Sequence, residues 1–248
     1  MSDDEVFEAL EREQDRIEEM LDGLPTDAWQ RESLCPGWTV SDVVLHLAQT
    51  EEAVAATVTG GKFEVPASVS GGNVDEIMAA WVAAERGEGD GVVLERWKTA
   101  RRRALDALRA ADPQTPVPWA AAPLKPRTLA TTRLSEHWIH AQDVAEPLGV
   151  AYPDGPTLWQ IARLAHRTIP YAYMRAGRSD PPSVRLELTG PEGEAWVFGD
   201  EGADVVIRGD AGELCRIAAR RMKPAEAKTI EASGDRSDEV LDLIRTYA

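Results

Sequence analysis

The hydrophobic pattern of this chain changes period once, near Asp180, and that change most limits what the chain can fold into. Before it, apolar residues recur every three to four positions; after it, they alternate. The first pattern predicts packed helices and the second short strands. Val6, Phe7, Leu10, Ile17 and Leu21 predict an amphipathic helix over 3–22, closed by Gly23 and Pro25. Thr39 reads as an N-cap with Asp42 three residues on, opening a helix that runs to about Val58. Further helices are expected over 74–85, 92–111, 128–148 and 157–176, with Gly149 stopping the third of these. The stretches VRLELTG, EAWVFG and ADVVIRG read as short antiparallel strands, and TIEAS (229–233) as a fourth. Helices are expected over 211–221 and 236–247. The expected organisation is therefore a helical domain over 1–178 and a small α+β domain over 179–248.

Composition narrows the function. A hydrophobic share of 43% is enough for a packed core. A net charge of −16 argues against nucleic acid or an anionic membrane as partner and leaves a small-molecule substrate. Arg101, Arg102 and Arg103 read as a solvated helix face. The acidic N-terminus lacks the apolar segment of a signal peptide, and two cysteines are too few for a disulfide framework, so a cytoplasmic protein is expected. Oligomeric state is not legible.

Within the helical part, Glu136 and His140 stand at i and i+4, one turn apart on one face. Together with His46 from another helix they make two histidines and a carboxylate, a set that holds zinc in hydrolases and iron(II) in oxygenases. The plainer reading is a polar stripe facing water. His137 is the competing ligand, but it points differently from Glu136. His166 reads as a packing histidine. Cys35 reads as a small turn residue rather than a nucleophile, because no histidine or acid neighbours it in sequence. Five prolines over 112–127 make a restrained connection, either an ordinary surface link or a wall beside the metal. In the second case Trp119 supplies apolar surface, and Lys125, Arg127 or Arg133 pairs with a substrate carboxylate.

Two segments carry a resemblance. CPGWTVSDVVLHL at 35–47 and LSEHWIHAQDV at 134–144 resemble the two signatures of the mycothiol-dependent maleylpyruvate isomerase family, part of the DinB-like metal-binding superfamily. Residues 183–221 resemble that family's small C-terminal domain. The resemblance implies a DinB-like four-helix bundle followed by a sterol-carrier-protein-like α+β domain. It implies His46, Glu136 and His140 as metal ligands, zinc as the usual metal (with iron(II), nickel or manganese suited to the same donors), and mycothiol as cosubstrate. It also implies an active-site arginine from the C-terminal domain, at Arg220 or Arg221. The likeness is strongest to an uncharacterised metal-binding subgroup.

The expected function is a metal-dependent enzyme in which a low-molecular-weight thiol attacks a small electrophile, by transfer or isomerisation. Two alternatives stand beside it. One is a non-haem iron(II) oxygenase using the same three ligands, and the other is a metal-stabilised binding protein without turnover.

Overall fold

The Thr39 hydroxyl accepts from the Asp42 amide while the Asp42 carboxylate accepts from the Thr39 amide, a reciprocal cap that fixes where the second helix begins. The computed structural model describes residues 5–61, 74–119 and 122–246. The chain forms two units, Asp3–Tyr152 and one beginning at Pro153.

The first unit is helical: α1 Val6–Asp22, α2 Val40–Val58, α3 Val74–Glu85, α4 Asp90–Ala110 and α5 Pro126–Leu148. Its core joins Ile17 and Leu21 of α1 to Val43, Val44 and Leu47 of α2, Trp97 of α4 and Val144 of α5. Deleting one such fully buried leucine costs about 2–5 kcal/mol. α5 starts at Pro126, two residues before the expected position, because a proline in the first turn has no amide to lose. Gly149 caps it in the left-handed conformation at φ 67°. The proline-rich connection is not wholly irregular: Val117 and Leu124 exchange both backbone hydrogen bonds at 2.9 Å.

Arg101 departs from the expected solvated face. It is buried and pairs with Asp15 at 2.9 Å and with Glu18 of α1, while Arg102 and Arg103 are exposed. The acids of α1 draw in the one arginine of the run that faces them, and its guanidinium lies over the Trp97 ring, 5.4 Å from the centroid.

The second unit contains α6 Leu158–Arg167, α7 Ile169–Arg175, β1 Val184–Thr189, β2 Ala195–Phe198, β3 Val205–Asp210, α8 Ala211–Ala218, β4 Glu231–Ser233 and α9 Ser237–Leu243. The expected boundary at 178/179 therefore moves to 152/153, since α6 packs on α8 and β2, and α7 on α9. The single helix expected over 157–176 is broken at Thr168, because Pro170 cannot continue the hydrogen-bond ladder.

The sheet order is β2-β1-β3-β4. β1 pairs antiparallel with β2 but parallel with β3, where antiparallel strands were expected. β2 runs back to the start of β1, so β3 sets off from that end and runs alongside β1. Asp204 and Ser183 bond at this crossing, with the Ser183 hydroxyl 2.8 Å from the Asp204 carboxylate. His166 is a packing histidine, as expected: its Nε2 donates to the Val184 carbonyl at 2.8 Å. Among the described residues no helix is long and apolar enough to cross a membrane.

Candidate metal centre

α5 is buried on nearly every side, and Arg133, Ser135, His137, His140 and Asp143 are all inside. The stripe carrying Glu136 and His140 therefore does not simply face water. α2 lies beside it and brings His46 across the gap. His140 Nε2 stands 3.4 Å from Glu136 Oε2, and His46 Nε2 stands 3.8 Å from the same oxygen. The two imidazoles meet edge to face, with ring centroids 5.1 Å apart. One donor atom from each residue lies within 4.8 Å of the others. Donors around a tetrahedral zinc stand about 3.4 Å apart, so the spacing suits one ion after small side-chain adjustment.

The two histidines of α5 divide their roles clearly. His137 is fully buried and committed at both nitrogens. Its Nδ1 donates to the Arg133 carbonyl at 2.8 Å, and its Nε2 accepts from Trp97 Nε1 at 3.3 Å. Burial, reinforced by the Arg133 charge, holds it well below the usual imidazole range, so it is a neutral packing group. His140 instead donates from Nδ1 to Asp143 Oδ2 at 3.0 Å, which turns Nε2 toward Glu136. A carboxylate behind a histidine in this way fixes the tautomer a metal requires. His46 Nδ1, the nitrogen other than the one nearest Glu136, is buried and has no hydrogen-bond partner among the described residues.

Electrostatics follow from the same contacts. Burial lowers His46 to about 4, against the opposing pull of Glu136. Burial also works against a charged His140, but hydrogen bonds to Asp143, Cys35 and Glu136 outweigh it and raise its pKa well above the usual value. Burial alone would raise Glu136, yet its hydrogen bonds to His140 and His46 hold it well below the carboxylate range. In the metal-free protein the centre is thus a Glu136 carboxylate facing a His140 imidazolium. Glu136 keeps 27% of its side chain exposed, so the centre opens to solvent on that side.

Arg133 is buried and engaged: Nε donates to Glu51 and Nη2 to the Thr50 hydroxyl, both at 2.7 Å. The expectation that it pairs with a substrate carboxylate is corrected, since its fork is already directed at α2. Lys125 donates to Gln114 at 2.8 Å. Arg127 is exposed near the start of α5, and nine residues before Glu136 amount to about two and a half helical turns, which puts it on the opposite face. Trp119 is half-buried in the connection before α5. Arg220 and Arg221 belong to the second unit, where Arg220 donates to the Leu243 carbonyl at 3.2 Å and Arg221 to the Ala219 carbonyl at 3.4 Å.

Three residues around the centre had no role there in the sequence reading. Asp143 and Cys35 meet behind His140, with Sγ donating to Asp143 Oδ2 at 3.1 Å, and Trp38 stacks obliquely on His46 at 5.2 Å. Trp38 and Cys35 lie in the first signature and Asp143 in the second, but only the fold joins them.

An uncharacterized protein of Mycobacterium tuberculosis is 29% identical over 255 residues, covering 100% of this chain and 97% of the relative, and a second strain gives the same match. Crystal structures of mycothiol-dependent maleylpyruvate isomerase, as such and with a histidine-to-alanine substitution, superpose with TM-scores of 0.63 and 0.64 at 20% identity, covering 94% of this chain and 93% of each of theirs. At that identity the likeness establishes the fold. The sequence model of the MDMPI C-terminal domain matches residues 161–238. That of the mycothiol maleylpyruvate isomerase N-terminal domain matches residues 10–145, more than half of the chain and all three candidate ligands, and the chain belongs to this family.

Proposed function

We propose that this protein is a metal-dependent isomerase that uses mycothiol, or a closely similar low-molecular-weight thiol, on a small electrophilic substrate. The observation that carries the reading is the open triad of His46, Glu136 and His140 in a chain of this family. These three side chains would hold a divalent metal, zinc for preference, with positions left over on the Glu136 side. Such an ion holds a coordinated thiol as its thiolate at neutral pH.

The residues of the chain do the rest. Asp143 keeps the His140 proton on Nδ1 and leaves Nε2 as a donor. Arg133, three residues before Glu136 and buried against Glu51, favours the ionised form of Glu136 through its charge. Trp38 covers one face of His46 and limits water there. Thiolate addition to an activated carbon–carbon double bond turns it into a single bond, which rotates. Expulsion of the same thiolate restores the double bond in the other geometry and consumes no thiol. With a substrate that carries a leaving group, the same attack ends in transfer and consumes one thiol. We place Trp119 as an apolar wall for the substrate; the Trp119→Ala variant should show a raised KM with metal content intact.

The test is incubation of zinc-loaded protein with mycothiol and maleylpyruvate, alongside a panel of other electrophiles, read by mass spectrometry. Isomerised product with thiol conserved supports the reading. Thioether formation moves it to transfer. Oxygen consumption by iron(II)-loaded protein, with no thiol-dependent product, overturns it.

A further inference from the structure

The buried thiol of Cys35 lies on the far side of His140 from the metal ligands. It is held there by a hydrogen-bonded turn: Cys35 N donates to the Ser33 hydroxyl at 3.1 Å, Trp38 N to the Cys35 carbonyl at 3.0 Å, and Leu34 N to the Asp143 carbonyl at 3.0 Å. Arg86 fastens the same turn to α2, donating to the Gly37 carbonyl at 3.2 Å and to Asp42 at 2.8 Å. Gly37 adopts φ 78°, the left-handed conformation that glycine reaches without steric cost. Sγ is thereby placed 3.1 Å from Asp143 Oδ2 and 3.7 Å from His140 Nδ1.

Asp143 is completely buried, and its carboxylate torsion is intrinsically soft. The His140 N–H and the Cys35 S–H converge on one oxygen, Oδ2, from two different segments. Two donors on one oxygen hold the carboxylate plane more firmly than one, and a hydrogen bond to a charged acceptor strengthens a weak thiol donor. A hydrogen on sulfur is what makes the 3.1 Å approach attractive.

On the metal reading above, we propose that Cys35 is a positioning residue: its thiol locks Asp143, and through Asp143 the His140 imidazole, in the orientation that binds metal. The thiol is then neither nucleophile nor ligand. Direct ligation is the rival geometry, because Cys35, His140 and Asp143 also bring donor atoms within 4.8 Å of one another.

The experiment compares zinc affinity, by competition with a fluorescent chelator, for wild type and for Cys35→Ser, Cys35→Ala and Cys35→Val. Outer hydrogen bonds of this kind change metal affinity by about 10-fold or more. The expected result is near-wild-type affinity for Cys35→Ser, which keeps a donor, and a loss of about 10-fold for Cys35→Ala and Cys35→Val. Cys35→Val fills the space without a donor, so it separates packing from hydrogen bonding should Cys35→Ala prove unstable. Equal affinity in all four proteins, or an equal loss in all three variants, overturns the proposal. A sulfur-to-metal charge-transfer band in cobalt-substituted wild type overturns it in favour of direct ligation. Wild type that takes up no metal at all overturns the metal reading itself, and this inference with it, which is distinct from a wild type that binds while its variants fail to separate.

Discussion

Asp143 grips His140 at Nδ1 over 3.0 Å, and this one contact decides that Nε2 of His140, and not Nδ1, faces Glu136. Asp143→Asn replaces a charged acceptor with an amide that can present either end. The expected consequence is a 10–100-fold loss of zinc affinity, of the order seen when a ligand histidine loses its carboxylate. Chelator competition measures it; an unchanged affinity would leave Asp143 a packing residue.

His137 and His140 should respond oppositely to substitution. His137→Ala leaves Trp97 Nε1 without this acceptor and opens a cavity, a cost of about 2–4 kcal/mol. Its metal content should stay at the wild-type level. His140→Ala should lose metal. Urea unfolding and elemental analysis on the same preparations check both, and metal loss in His137→Ala would reverse the assignment.

Metal uptake should release about one proton near pH 7. His46, lowered to about 4, is already neutral there, whereas His140 is raised and carries its proton until the metal displaces it. Affinity should therefore fall as pH drops. The His140 contribution to the metal-free fold has the opposite sense, whereas His46 and His137, both lowered by burial, oppose folding as pH drops below about 6.5. A histidine whose folded pKa lies above its unfolded value, about 6.5, contributes its full stability below that value and loses it as pH rises through the folded one. Calorimetric titration in buffers of different ionisation enthalpy counts the protons; a count near two, or none, contradicts the assignment of charges.

The Arg133–Glu51 pair is closed off from water, so removing one partner strands a charge. Each of Glu51→Leu and Arg133→Met should cost about 3–5 kcal/mol, while the double variant should recover much of that loss. Denaturant titration of all three reads the coupling. A double variant as unstable as the sum of the singles would show that the two side chains act independently.

What the sequence disclosed and what it hid follow one physical division. Local chemistry was legible: the Thr39–Asp42 capping box, the Gly149 stop, the i, i+4 spacing of Glu136 and His140, and the alternation of β1 all act within a few residues. Pro170 was equally local, yet its break in the helix was overlooked. Partners distant in the chain were not legible. Cys35 meets Asp143 across 108 positions, Arg101 meets Asp15 across 86, and β1 takes β3 as a parallel neighbour because of where β2 ends. The unit boundary belongs to the same class, since α6 reads as one more helix until it is seen to pack on α8.

The most direct test of the metal centre is elemental analysis of protein purified without a histidine tag, loaded with zinc and freed of excess, for wild type, His46→Ala, Glu136→Gln and His140→Ala. The account predicts about one zinc per chain in wild type and a loss of most of it in each variant, all of them still folded by circular dichroism. Full zinc content in His46→Ala and His140→Ala, or none in wild type, would contradict it.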